Sequence, residues 1–319
     1  MMLFFAGNVD QVLKIMFTEQ MSKTLIYVAG PTGIGKTSLS IELAKILRTD
    51  IISCDSRQFY KELKIGTSPP TNKQLKEVKH YFIHNRSVID DYSVGDYEKD
   101  SIDIITQLFK QKDNLILVGG SGLYADSILY GIDDLPKVPI EIKDRLNSII
   151  EEKGIDILRE RLKEIDLDYY NKVDLNNPNR LIRAIGVYEV SGKKISSLWN
   201  NDKKNRTFNS AIIVMKSDRD ELYEKINQRV DMMVQNGLEK EASRLIKFRQ
   251  YNALNTVGYK EFFLYFDGKL SKEEAINKIK QNTRNYAKRQ ITWFNRYNDA
   301  LEYKIDNSVD ELLNKLIKE

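Results

Sequence analysis

Cysteine and histidine are nearly missing from this 319-residue chain: Cys54 is its one thiol, and His80 and His84 are its only imidazoles. No internal disulfide can form, and a zinc site has too few Cys and His ligands to be expected. Long apolar runs are missing too. None approaches the roughly 20 residues that cross a bilayer, so no membrane partner is expected. Internal repeats and low-complexity tracts are not found, which argues against a solenoid or a disordered tail. Neither sign of charge dominates. A net charge of +4 is too small to establish nucleic-acid binding by itself. The start Leu3-Phe4-Phe5-Ala6 has no basic stretch before it and no long apolar core after it, unlike a cleavable signal. With no disulfides either, the expected location is the cytoplasm. Met21 stands where a natural start would fall, and residues 1–20 read as an upstream extension or a loosely attached helix.

What is present begins with an ordinary globular composition, 41% hydrophobic and 30% charged, long enough for one large domain or a core with an inserted module. Within it, Gly30-Pro31-Thr32-Gly33-Ile34-Gly35-Lys36-Thr37 satisfies G-x-x-x-x-G-K-[ST]. Residues 24–29 before it read as a buried strand. Leu39, Leu43 and Leu47 after it lie at the spacing of one helical face. Such glycines let backbone N–H groups turn onto phosphate oxygens. The helix N-terminus adds its dipole, Lys36 a charge, and Thr37 a hydroxyl suited to Mg2+. The loop predicts a phosphorylated ligand.

Strands are expected at 50–54 and 115–118 and helices at 97–111 and 123–129, with 61–96 mainly loop. This alternation predicts a parallel sheet with helices on both faces. Residues 136–201 then read as helical, and a strand returns at 211–215. Helices follow at 219–236, 238–250, 259–266 and 271–297, the last opened by a Ser271/Glu274 capping pair. The fold class is therefore α/β, a phosphate-loop kinase-like core (21–135 and 202–319) with an inserted helical domain (136–201).

Four further features carry chemistry. Asp55 ends the second strand, at the sheet edge that faces the ligand in open α/β folds. It suits a metal ligand or a general base, the alternative being the cap of a turn. Gly119-Gly120-Ser121-Gly122-Leu123-Tyr124 is a glycine turn at the same edge, able to admit a ligand or simply to turn the chain. Arg229 falls almost on the inward stripe Leu222, Ile226, Val230, Met233. It either meets an anion such as diphosphate or runs its stem out to solvent. Lys278, Lys280, Arg284, Lys288, Arg289 and Arg296 interleave with Tyr286, Trp293, Phe294 and Tyr297. This suits a nucleic acid as well as a solvated helix face.

Together these blocks resemble the tRNA dimethylallyltransferases. The resemblance rests on the phosphate loop, on Ile51-Ile52-Ser53-Cys54-Asp55-Ser56-Arg57-Gln58-Phe59-Tyr60 with Ile65-Gly66-Thr67, and on the glycine turn. It rests also on Asn179-Arg180-Leu181-Ile182-Arg183-Ala184, Val257-Gly258-Tyr259-Lys260-Glu261 and Ala287-Lys288-Arg289-Gln290-Ile291-Thr292-Trp293. It implies transfer of a dimethylallyl group from its diphosphate to the exocyclic amine of the adenosine immediately 3′ of the anticodon, by a monomer. Residues 30–37 would hold the diphosphate with Mg2+ on Thr37, Arg229 the leaving group, and Asp55 the amine proton. Asp55, Ser56, Arg57, Gln58 and Ser121 would touch the tRNA. So would Asn179, Arg180, Leu181, Ile182 and Arg183, and Asn255, Thr256, Val257, Gly258, Tyr259 and Lys260. Ser121 stands where the family usually has threonine, and the His80–His84 stretch follows the family only loosely. The Cys/His pairs of the zinc finger found in some eukaryotic relatives are missing, as in the shorter bacterial form. The residues themselves also admit an ATP-dependent phosphotransferase or a non-catalytic RNA-binding protein.

Overall fold

The computed structural model describes residues 23–199 and 204–318; the expected extension 1–20 and Met21 lie outside them. Contacts divide the chain into two compact units, Met1–Leu129 with Arg206–Glu319, and Tyr130–Asn205.

The larger unit is built on a parallel sheet of six described strands in the order β3-β2-β4-β1-β5-β6. β1 (Thr24–Ala29) lies at its centre, between β4 (Asn114–Gly119) and β5 (Asn209–Lys216). Leu25 to Ala29 are buried on both faces, which is why the strand reads as a continuous apolar run rather than an alternation. β2 (Ile51–Ser53) sits beyond β4, so the turns after β1, β4 and β2 leave the same sheet edge side by side. Alternate strands are about 10 Å apart, which sets the separation of the phosphate loop from Asp55.

Helix α1 (Lys36–Ile46) buries Leu39, Ile41, Leu43 and Ala44 on the sheet. The 61–96 segment is less irregular than its sequence predicts. It contains α2 (Asn72–Glu77), opened by a Thr71/Gln74 capping box, and the two-residue edge strand β3 (His80–Tyr81). Helix α3 (Val94–Leu108) and α4 (Gly122–Leu129) complete the first half of this unit.

The smaller unit holds α5 (Ile140–Lys153), α6 (Asp156–Ile165), α7 (Leu167–Tyr170) and α8 (Pro178–Ser191). Its core gathers Leu146, Leu158, Leu162, Leu181, Ile182 and Ile185.

After β5 come α9 (Arg219–Gln235), α10 (Leu238–Leu245), α11 (Tyr259–Phe266) and α12 (Lys272–Phe294). The helix expected over 238–250 stops at Leu245 and tightens into a 3-10 turn, Ile246–Phe248. α12 starts as its sequence predicts: the Ser271 hydroxyl accepts from Glu274 N at 3.2 Å while Glu274 Oε2 accepts from Ser271 N at 2.7 Å. Beyond it lie two elements the sequence reading did not place, β6 (Leu301–Lys304) and α13 (Val309–Lys318).

Candidate active site

Gly33 and Gly35 take φ of +85° and +100°, a region that side-chain-bearing residues rarely adopt. A Cβ on Gly33 would also lie 3.1 Å from Ile226 Cγ1 of α9. This conformation curls residues 30–37 into a cradle at the N-terminus of α1. The Lys36 ammonium folds back on the loop and donates to the Gly30 and Pro31 carbonyls, both at 2.8 Å. Burial pushes its pKa down to about 8; nearby Asp55 opposes that fall and the Arg229 charge adds to it. Arg229 does not run to solvent. Its Nη1 donates to Thr32 Oγ1 at 3.2 Å. Burial lowers its pKa, again with Asp55 opposing. Two enclosed cations therefore converge on one loop, an arrangement that favours a polyanionic ligand.

Asp55 stands at the end of β2. Its Oδ1 accepts the Arg57 N–H at 3.0 Å, so it does cap its own turn. The carboxylate also borders a cavity of about 870 Å³, with Thr32, Lys36, Thr37, Gln58 and Arg229 in the same wall. Both roles read from the sequence thus coexist in one side chain. Ser121 does not line the cavity. It acts one step behind, its hydroxyl accepting Ser56 N at 3.1 Å and donating to Ser56 Oγ at 3.1 Å. Arg57 reaches the carbonyls of Asn252 (2.7 Å) and Ala253 (3.3 Å), tying the Asp55 turn to the segment before α11. Gln58 Nε2 donates to the carbonyls of Thr67 (3.3 Å) and Ser68 (3.4 Å).

The remaining candidates divide by exposure. Asn255, Thr256, Val257, Gly258 and Lys260 border the cavity, and Lys260 Nζ donates to Asn255 Oδ1 at 3.0 Å. Tyr259 is fully buried and donates to Glu241 at 2.6 Å, so its side chain anchors the segment from within. In the smaller unit Asn179 and Arg180 are exposed and Arg183 partly so, while Leu181 and Ile182 pack into the core. Pro31 and Ile34 are likewise interior, shaping the loop rather than facing a ligand.

Part of the late basic segment is held by partners inside the unit. Lys280 pairs with Asp231 at 2.7 Å, Arg284 donates to Asn227 at 2.6 Å, and Arg296 pairs with Asp126 at 3.0 Å while lying over the Trp293 ring. The inward face of α12 is the functional one: Tyr286 and Gln290 both border the cavity. Burial, reinforced by Asp55, pushes the Tyr286 phenol up to about 12, which keeps it a hydrogen-bond donor. Sequence reading quoted both residues without giving either a role at the site.

The site also fits a magnesium ion of the kind the loop implies. No cluster of three metal-ligating Asp, Glu, His or Cys side chains exists among the described residues. Mg2+ commonly needs only a hydroxyl or one carboxylate beside substrate phosphates and water. Thr37 borders the cavity and supplies that hydroxyl. No described helix is long and apolar enough to cross a membrane.

The IPP transferase family model matches residues 58–297. The tRNA dimethylallyltransferase of Christiangramia forsetii is 49% identical over 288 residues, 90% of this chain and 95% of that one. That of Flavobacterium psychrophilum is 46% identical over 303 residues, 92% and 99% of the two chains. Among solved structures, the tRNA isopentenylpyrophosphate transferase of Bacillus halodurans is 31% identical with a TM-score of 0.67, covering 93% of this chain and 95% of that one. A eukaryotic dimethylallyltransferase acting on tRNA is 25% identical with a TM-score of 0.78, covering 93% and 80%. Matches this extensive, over a cavity that joins a phosphate cradle to a strand-end carboxylate, leave one assignment: the chain belongs to the tRNA dimethylallyltransferase (IPP transferase) family.

Proposed function

We propose that the chain transfers the dimethylallyl group of dimethylallyl diphosphate to the exocyclic nitrogen of the adenosine immediately 3′ of the anticodon in tRNA. The observation that carries this reading is the shared cavity wall of Thr32, Lys36, Arg229 and Asp55, which sets an anion cradle beside a carboxylate. The adenine nitrogen bonds to C1 of the dimethylallyl group as the C1–oxygen bond breaks. Its proton passes to Asp55, and diphosphate departs carrying the bond's electrons. Negative charge grows on the leaving group in the transition state, where the phosphate loop, Lys36 and Arg229 would stabilise it. An aromatic amine is a weak nucleophile, so a carboxylate that accepts its proton contributes to the rate. Bound Mg2+, held by Thr37 and the diphosphate, would supply further neutralisation of that charge. The target base must leave its stack to enter the cavity, whose lining includes Ser56, Arg57 and Gln58.

Asn179, Arg180 and Arg183, with Asn255 and Lys260, supply the tRNA contacts in this reading. In this reading the enzyme acts as a monomer in the cytoplasm. Phosphotransfer and non-catalytic RNA binding are set aside because relatives matched over nine-tenths of the chain carry the prenyltransferase name. The deciding experiment incubates the protein with dimethylallyl diphosphate and unmodified tRNA, then digests the RNA for mass spectrometry. A prenylated adenosine next to the anticodon supports the reading; unmodified RNA with active control enzyme refutes it.

A further inference from the structure

Gln290 is a buried polar side chain, 5% exposed, on α12. Its Oε1 accepts the Thr32 N–H of the phosphate loop at 2.8 Å. Its Nε2 donates to the Gly120 carbonyl of the glycine turn at 2.7 Å. The amide's orientation is fixed by chemistry, because an N–H can only donate and a carbonyl can only accept. Gly120 is fitted to this contact, since a Cβ there would lie 2.1 Å from Gln290 Nε2. One helical turn away, Gly122 is closed off in the same way, its Cβ position 2.1 Å from the Trp293 indole. α12 therefore bears on the glycine turn at two neighbouring points.

Each end of the Gln290 bridge continues into a different half of the site. Through Thr32 it reaches Arg229, whose guanidinium donates to the Thr32 hydroxyl at 3.2 Å. Beside Gly120 stands Ser121, which holds Ser56 next to Asp55 at 3.1 Å. The first half handles the diphosphate and the second the amine. Both lie on turns of separate strands, which the sheet alone spaces but does not lock.

We propose that Gln290 is a positioning residue that locks the phosphate loop to the glycine turn, fixing the distance between the allylic carbon and the attacking nitrogen. This rests on the prenyl-transfer reading above. Thr32 N–H is committed to Gln290 rather than to the ligand, so the bridge governs geometry more than diphosphate affinity. A displacement of about 1 Å between reacting groups can cost on the order of 100-fold in rate. Gln290 thus acts on turnover, and through other residues.

The test compares Gln290→Met, which keeps the volume and loses both bonds, with Gln290→Glu, which keeps an acceptor for Thr32 N–H and loses the donor to Gly120. Single-turnover prenylation is measured at saturating dimethylallyl diphosphate and tRNA, with both binding affinities and a melting curve. Gln290→Met should lower the rate by about 10- to 100-fold, with either affinity changed by less than about threefold. Gln290→Glu should fall by a smaller factor. Should Gln290→Met fail to fold, the rate and affinities of folded Gln290→Glu decide by themselves. A normal rate in folded variants would overturn the proposal. So would a loss confined to melting temperature or to tRNA affinity, which would make the bridge structural only. Wild-type enzyme in the same assay separates the two levels: no wild-type prenylation overturns the functional reading and this inference with it, whereas an active wild type with equally active variants overturns this inference alone.

Discussion

Asp55 has two carboxylate oxygens and two tasks. One oxygen holds the turn by accepting Arg57 N–H at 3.0 Å, and the carboxylate as a whole borders the cavity with Lys36 and Arg229. Asp55→Asn keeps an acceptor for the turn and removes the base, so it separates the tasks. Turnover should fall by about 10²–10⁴-fold, while melting temperature and dimethylallyl diphosphate affinity stay close to wild type. Near-normal single-turnover rates in this variant would leave Asp55 only the turn. Lys36 gives a second prediction at this scale. Burial holds its pKa down at about 8, and the charged form is the one that attracts diphosphate. Below that pH the lysine is already protonated and binding is at full strength. Above it, each diphosphate bound must bring a proton to Lys36, so affinity should fall by up to about tenfold per pH unit. Calorimetric titration of dimethylallyl diphosphate across this range, without tRNA, measures the effect; Lys36→Met should bind weakly and lose the step. A flat wild-type profile would credit the attraction to backbone amides and Arg229.

At the scale of elements, what sequence showed and what it hid follow from element length and from contact distance along the chain. β1, the phosphate loop and α1 were legible because loop motif, apolar strand and helical spacing agree within a short stretch. Asp55 and the glycine turn were legible as strand ends. β3 has two residues and β6 four, too short to establish a period, and both lie at sheet edges. Gln290 was hidden for a different reason: its partner Thr32 is 258 residues away, and nothing local marks a glutamine as buried. Glu241 is the same kind of residue. From α10 it accepts the N–H groups of Lys64, Ile65 and Gly66 at 3.0–3.1 Å, and the Tyr259 hydroxyl at 2.6 Å. That one carboxylate anchors the backbone of residues 64–66, and the neighbouring Thr67 carbonyl accepts from Gln58. Glu241→Gln replaces one all-acceptor oxygen with an N–H₂ that faces backbone donors. It should cost about 1–3 kcal/mol of stability, read as a lowered denaturation midpoint. It should also speed proteolysis near residues 64–68 under native conditions. Unchanged stability would show that water replaces the carboxylate at this loop without penalty.

At the scale of the molecule, a net charge of +4 is small for a protein that engages tRNA, so placement matters more than total. The diphosphate residues and Asp55 belong to the larger unit; Arg180 and Arg183 belong to the smaller, Tyr130–Asn205. The two arginines are three apart on α8 and so share a helical face, Arg180 exposed and Arg183 partly buried. A rival role for them is an ion pair that holds the smaller unit together, with Glu189 the obvious partner. Glu189 is taken up by Arg161 at 2.6 Å and by Arg145, and no ion pair of Arg180 or Arg183 is found among the described residues. Burial lowers the Arg183 pKa, with Tyr169 opposing, so a phosphate oxygen would relieve a charge the fold leaves poorly solvated. Arg180→Glu with Arg183→Glu should therefore weaken tRNA binding and leave dimethylallyl diphosphate binding unchanged. Each lost phosphate contact also removes counterion release, so the log–log salt slope should shrink by about 1–2. Filter binding over a salt series, with a melting curve on the same sample, tests both parts. An unaltered slope in a folded double variant would remove this face from the RNA contact. A collapsed melting curve with normal binding of the folded fraction would restore the structural explanation.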